Sequence, residues 1–135
     1  MKMFKLQNKV EIIVPKYTNS GKEISSPAIK EAVNNATKIC GGCTITEIKG
    51  QWWSDDEQRI MEDDNLNLEW YYDKGMQDIN DQQGLLQALS KIARQLIVFY
   101  EQEAISIKVD GVLYIVDYED LKFLSYELYD LMFKN

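Results

Sequence analysis

The stretch Leu66-Asn67-Leu68-Glu69-Trp70-Tyr71-Tyr72 decides the fold, because its side chains divide into two sets that alternate along the chain. Leu66, Leu68, Trp70 and Tyr72 fall on one side, while the intervening residues place polar groups on the other. This period of two is that of a β-strand with one buried and one solvated face. The segment therefore predicts a sheet that is covered on one side only.

The remaining segments supply the other strands and the helices that cover the sheet. In order, the sequence predicts a strand over Lys5–Val14, a helix from Ser26-Pro27 to Gly41-Gly42, strands over Cys43–Lys49 and Leu66–Tyr72, a helix after Asp78–Asp81, a hairpin of Ala104–Val109 and Val112–Val116, and a final helix capped by Asp117. The first six elements follow the ferredoxin-like order. We expect an α+β fold, a ferredoxin-like β-α-β-β-α-β sandwich with an extra edge strand and a C-terminal helix, in one domain spanning residues 1–135.

Composition excludes several kinds of chemistry. The 135 residues contain no histidine, so the commonest general base and metal ligand is missing. No apolar run approaches the ~18 residues that cross a bilayer, and the N-terminus lacks the apolar stretch of a secretory signal. We expect a cytoplasmic protein, in the host cytoplasm if a phage encodes it, with no membrane partner and with reduced cysteines.

Charge is distributed unevenly along a chain whose net charge is −7. Residues 1–50 hold eight lysines against four glutamates, whereas residues 51–81 hold ten acidic residues against two basic ones. An acidic middle segment repels nucleic acid and attracts a basic surface. The pattern favours a protein partner with a basic surface and disfavours direct contact with nucleic acid.

The candidate binding residues lie in this acidic segment, beside two adjacent tryptophans. They are Trp52, Trp53, Asp55, Asp56, Glu57, Asp63 and Asp64. Neighbouring tryptophans on a strand point to opposite faces, so at least one should lie outside the core and act as a binding anchor. Packing beneath the C-terminal helix is the alternative for the indoles, and a solvated loop or a site for Mg²⁺ or Ca²⁺ is the alternative for the acids.

Two further motifs have a structural and a chemical interpretation. Cys40-Gly41-Gly42-Cys43 has the spacing of a redox or zinc-binding pair, but a helix C-terminus disfavours a thiolate, and a helix cap explains the same residues. Glu47-Ile48-Lys49 matches the end of a nuclease-type acid-x-Lys motif without the upstream aspartate that such a site requires. Neither motif predicts catalytic residues, a metal site or a cofactor.

The segments Lys9–Pro15, Gly41-Gly42-x-Thr44 and Gly50-Gln51-Trp52, followed by the late Asp-Gly hairpin, resemble a loose group of small uncharacterised proteins of bacteria, plasmids and prophages. The resemblance implies a compact cytosolic protein of a mobile element. Small acidic proteins of this kind include inhibitors of host defence systems, so the resemblance also implies a partner among host proteins.

Three hypotheses about function follow. The first is a non-enzymatic acidic binding protein of phage or mobile-element type that inhibits a basic, nucleic-acid-handling host protein, in the manner of an anti-CRISPR protein. The second is a small-ligand binding or sequestering protein that forms a homo-oligomer through its C-terminal helix, whose apolar residues occupy more than one side. The third is a metal-dependent hydrolase, which requires carboxylates from distant segments to converge.

Overall fold

The computed structural model describes residues 3–134 and contains a five-stranded antiparallel sheet in the order β2-β3-β1-β4-β5. The strands are β1 (Asn8–Pro15), β2 (Thr44–Ser54), β3 (Arg59–Tyr72), β4 (Ala104–Val109) and β5 (Val112–Asp117). The helices are α1 (Pro27–Cys40), α2 (Ile79–Phe99) and α3 (Leu124–Met132), and a 3₁₀ helix (Glu119–Phe123) precedes α3. The mixed α+β fold with a C-terminal helix is confirmed, and β5 is the extra edge strand.

The ends of the elements follow from their sequences. Ser26 caps α1 by accepting a hydrogen bond from the backbone N–H of Ile29 at 3.2 Å, and Gly41 ends the helix with a φ of 94°. Asp110 and Gly111 both have positive φ in the tight turn between β4 and β5, as a type I′ turn requires. Asp117 and Asp120 each accept a hydrogen bond from the other's backbone N–H, which starts the 3₁₀ helix.

The core lies between the helices and one face of the sheet. Val10, Ile12, Leu68 and Trp70 of the two central strands are buried against the apolar stripe of α2. The stripe consists of Leu85, Leu86, Ala88, Leu89, Ile92, Ala93 and Leu96. Two hydrogen bonds connect the layers: Trp70 Nε1 donates to Thr37 Oγ1 at 3.0 Å, and Tyr72 Oη donates to the carbonyl oxygen of Met132 at 3.2 Å. The opposite side of the sheet, called here the open face, carries no helix.

The hairpin of β2 and β3 is longer than the sequence pattern indicates. The pattern ends the second strand at Lys49 and begins the third at Leu66, whereas the paired strands run on to Ser54 and Arg59. Since β1 pairs with β3 only from Asn65 to Tyr72, residues 49–64 form a two-stranded arm that extends beyond the sheet. The sequence pattern misses this extension because neither face of the arm packs on a core. Its residues therefore need not alternate between apolar and polar, which is the signal by which a strand is recognised.

The described helices include none that is long and apolar enough to cross a membrane.

Replacing Leu89 with alanine tests the assignment of the core. Leu89 is fully buried on α2, so truncation should lower the free energy of unfolding by about 2–5 kcal/mol. Val98→Ala on the same helix is the control, because Val98 is exposed and its truncation should change stability by less than about 0.5 kcal/mol. Urea unfolding followed by circular dichroism measures both, and equal losses would contradict the assignment.

Candidate functional site

A groove of about 880 Å³ lies where the arm leaves the sheet. Its floor is the open face, where Ile13, Asn65 and Ser106 come from the three central strands. One wall is the arm, and the other consists of the segments 17–19 and 102–104 that follow β1 and precede β4. This concavity is called the acidic groove below.

The lining of the acidic groove has one sign of charge. Four acidic residues contribute to its lining, Glu62, Asp63, Asp64 and Glu103, and no lysine or arginine is among the lining residues of the described chain. Strand alternation places the Asp63 carboxylate on the groove face with Met61 and Trp52, and those of Glu62 and Asp64 on the opposite face of the arm. The rings of Tyr17 and Trp52 and the thioether of Met61 complete the wall. Carboxylates beside exposed aromatic rings attract a cation, and the rings offer a stacking surface to a planar group. The arrangement is therefore suited to a cationic ligand that carries an aromatic ring.

The two tryptophans lie on opposite faces of the arm, as the strand period predicts. Trp52 pairs with Met61 and lines the acidic groove, whereas Trp53 pairs with Ile60 on the other face. Trp52 is 49% exposed and Trp53 is 52% exposed, so neither packs beneath the C-terminal helix. The Trp53 indole N–H donates to Asp55 Oδ1 at 3.1 Å.

The structure divides the candidate acids between two places. Asp63 and Asp64 both contribute to the lining of the acidic groove, with the side chain of Asp63 on the groove face of the arm and that of Asp64 on the other, while Asp55, Asp56 and Glu57 form the turn at the end of the arm. The continuous patch beside both indoles, on which the inhibitor hypothesis rests, is thereby split over two faces of the arm. That hypothesis remains a prediction.

A polar cluster adjoins the groove on the open face. Glu11 of β1 lies between Glu69 of β3 and Lys108 of β4 in the strand register and is only 8% exposed. Asn67 Nδ2 donates to Glu11 Oε1 at 3.0 Å, and Lys9 Nζ lies 3.2 Å from Glu69 Oε2. The hydrogen bond to Glu69, together with the charge of Glu11, raises the pKa of Lys9. Lys9 thus offsets the repulsion between two carboxylates that face each other across neighbouring strands.

One atom of this cluster lacks a partner. Asn67 Oδ1 is buried and accepts no hydrogen bond from any residue that the structure describes. Asn67 pairs with Ile13 of the groove floor in the strand register but does not itself line the groove. A buried acceptor without a donor is costly.

The sequence contained a signal for this cluster that our interpretation did not use. Glu11 interrupts the apolar run Val10-Glu11-Ile12-Ile13-Val14 at a position that faces away from the helices. A carboxylate in the middle of a central strand needs a partner on a neighbouring strand. Tyr17 and Glu103 gave no such signal, because only the folded chain brings these loops beside the arm.

The other two motifs do not form reactive sites. Burial raises the pKa of Cys40 to about 11, with a smaller contribution from Cys43, and burial likewise raises the pKa of Cys43. Glu47 accepts a hydrogen bond from Lys16 Nζ at 2.7 Å, which lowers the pKa of Glu47 and raises that of Lys16. Within residues 3–134 no three acidic or cysteine side chains converge closely enough to hold a metal ion.

Among solved structures, the fold is similar to that of an enzyme. No protein-family model matches the chain, and no curated protein matches it. A solved structure of a phage SAM lyase in complex with S-methyl-5'-thioadenosine matches with a TM-score of 0.54 and 15% identity, over 88% of this chain and 96% of that one. The apo form of a phage SAM lyase matches with a TM-score of 0.51 and 14% identity over the same shares. A mutant of CutA1 from Pyrococcus horikoshii gives 0.40 and 12%, over 89% and 96%.

These comparisons correct one prediction. The sequence indicated a protein that is not an enzyme, whereas the matching structures with TM-scores above 0.5 are those of a lyase. The absence of histidine and of a reactive thiol misled that inference, because some reactions need neither a general base nor a protein nucleophile.

The pKa of Cys40 predicts slow alkylation. The shift from the ordinary value of 9.0 to about 11 lowers the thiolate fraction at pH 8 about a hundredfold. In a Cys43→Ala variant, iodoacetamide should modify Cys40 of the folded protein about a hundredfold more slowly than in urea. Because the folded state holds its proton to higher pH, stability should fall as the pH rises from about 9 to 11. Equal rates in the two states would contradict the assignment.

Glu11→Ala should destabilise the protein by about 1–3 kcal/mol, because it leaves the buried amide of Asn67 without its acceptor. Glu11→Gln is the matched control, since it keeps an acceptor oxygen and removes only the charge that faces Glu69. We expect urea unfolding to show little loss for the glutamine variant. A glutamine variant as unstable as the alanine variant would show that the charge, and not the hydrogen bond, matters.

Proposed function

We propose that the chain is an enzyme that binds a sulfonium nucleoside in the acidic groove and cleaves one of its carbon–sulfur bonds, as a lyase acting on S-adenosylmethionine does. The observation that carries this proposal is the lining of the groove, with acidic residues that include Asp63 and Glu103, two aromatic rings and no lysine or arginine among its described residues. The likeness to a phage SAM lyase with bound S-methyl-5'-thioadenosine supports the same ligand class.

The groove discriminates among nucleosides by charge. A nucleotide carries phosphates, which the acidic residues of the groove and of the arm repel. S-adenosylmethionine instead carries a sulfonium and an ammonium group, and both are attracted by Asp63 and its acidic neighbours. Its adenine ring is a planar surface that stacks on an indole such as that of Trp52.

Asp63 and the polar cluster beside the groove suit the amino-acid part of the same ligand. The carboxylate of Asp63 makes no ion pair within the described residues and lies on the groove face, so it is available to the substrate ammonium group. Lys108 lies across from Glu11 and makes no ion pair within the described residues, so it is available to a substrate carboxylate. In both assignments, a charged group of the substrate binds a side chain that has no ion-pair partner among the described residues of the protein.

The reaction fits a chain without histidine. When the substrate carboxylate attacks its own γ-carbon, the carbon–sulfur bond pair moves to sulfur and a neutral thioether leaves. A lactone forms at the same time, so no proton is transferred and no general acid or base is needed. The negative carboxylate and the positive sulfonium cancel, and a site that removes water from both favours such a step. The protein's task is then to hold the substrate in the reactive geometry.

The adjacent tryptophans provide a matched test. Trp52→Ala removes the stacking surface in the groove and should weaken binding of S-methyl-5'-thioadenosine about 5- to 150-fold, since base stacking contributes about 1–3 kcal/mol. Trp53→Ala alters the opposite face of the arm and should change the dissociation constant less than twofold. Isothermal titration calorimetry measures both variants. Equal effects, or no binding by the wild-type protein, would refute the assignment of the groove.

Asp63→Asn tests the role of charge. Loss of one carboxylate at about 4 Å from a cation costs about 1 kcal/mol in water and more in a partly closed groove. Binding of S-adenosylmethionine should weaken at least fivefold, while binding of the neutral thioether product should change less than twofold. Mass spectrometry of the wild-type reaction should detect S-methyl-5'-thioadenosine above the spontaneous rate. A rate equal to that of buffer alone would rule out the lyase.

A further inference from the structure

A second groove, of about 600 Å³, lies on the helical side of the molecule between α2 and α3, and its charge is opposite to that of the first. Three cations line it, from Lys91, Arg94 and Lys122, and no acidic residue is among its described lining residues. Phe123 and Tyr126 at its rim are 59% and 71% exposed. This concavity is called the basic groove.

The three cations lack an anionic partner within the described residues, although Lys122 Nζ lies 5.4 Å from the centroid of the Phe123 ring. None of them forms an ion pair within residues 3–134. Two neighbouring acids are engaged elsewhere: Asp120 caps the 3₁₀ helix, and Asp130 lies 3.9 Å from Lys134. The helical spacing of Lys91 and Arg94 on α2 places both side chains toward α3. An unpaired cluster of like charges is stabilised by an acidic occupant.

The tip of the arm, residues 53–59, has the complementary chemistry. Asp55, Asp56 and Glu57 are exposed at its turn, with only Arg59 as a counter-charge, and the half-exposed indole of Trp53 lies beside them. All the side-chain hydrogen bonds that the structure shows for this tip stay within the arm. The residues of the tip are exposed except for Ser54, and no helix among residues 3–134 makes a side-chain hydrogen bond to them, so the tip is able to enter another molecule.

We propose that the basic groove receives the arm tip of a second copy of this chain. Carboxylates of the tip meet the three cations, and Trp53 adds an aromatic anchor beside Phe123 and Tyr126, the kind of residue that dominates interface energetics. The net charge of −7 opposes association at long range. At physiological salt, however, the screening length is about 8 Å, so local complementarity outweighs it.

A nucleic acid fits the same groove less well. Three cations are few against a polyanion, and the acidic arm repels phosphates from the rest of the surface. The arm-to-groove contact is also heterologous, since it joins two different surfaces, and it builds chains or rings instead of a symmetric pair. Because the two surfaces are different, the contact can be tested by mixing one variant with an altered arm tip and another with an altered basic groove.

The arm variant carries Asp55→Lys, Asp56→Lys and Glu57→Lys, and the groove variant carries Lys91→Glu, Arg94→Glu and Lys122→Glu. In sedimentation velocity at about 50 mM salt, the wild-type protein should self-associate in a concentration-dependent manner. Each variant alone should associate at least tenfold more weakly. An equimolar mixture should regain self-association, because the intact arm meets the intact groove and the reversed arm meets the reversed groove, each with opposite charge.

A protein with all six reversals should regain self-association, because its charges are exchanged and again complementary. Salt at 0.5 M should weaken every one of these complexes. The proposal is overturned if the wild-type protein stays monomeric at high concentration and low salt. It is equally overturned if the variants assemble as the wild type does or if their mixture does not associate, and the basic groove would then belong to a different acidic partner. Binding of S-methyl-5'-thioadenosine is measured in parallel, because its loss would concern the acidic groove alone.

Discussion

The central strand β1 is the element on which the other parts of the molecule depend, since it is hydrogen-bonded on both sides, to β3 and to β4. Its even-numbered residues, Val10, Ile12 and Val14, are buried under the helices, and its odd-numbered residues face the open side. A shift of the register by one residue would exchange the two sets and place Glu11 in the core. The same alternation that builds the core therefore places a carboxylate beside the acidic groove.

The core and the ends of the helices could be predicted from the sequence because each depends on residues that are close together in the chain. Ser26, Gly41 and the Asp110-Gly111 turn have the residue types that a helix cap or a tight turn requires, and the alternation from Leu66 to Tyr72 identifies a half-buried strand. The arm was missed for a related reason. Its strands pair with each other in solvent, so no apolar pattern distinguishes them from a loop.

The site was only partly predictable. Trp52, Asp63 and Asp64 came from the composition of the acidic segment and do line a groove, whereas the turn acids lie elsewhere. No sequence pattern indicates that Glu103, which is separated from Asp63 by 40 positions in the sequence, forms part of the same groove. The missing histidine removes only the commonest general base, and it leaves open reactions that need no proton transfer as well as those in which a carboxylate moves the proton.

The opposite orientation of Trp52 and Trp53 constrains how the arm can evolve. Side chains of a strand change sides at every residue, so an insertion of one residue between Gly50 and Trp52 would turn the groove-lining indole outward. An insertion of two would restore its side. Length variation near the base of the arm is therefore tolerated in even steps, and descendants of this protein should differ there by pairs of residues.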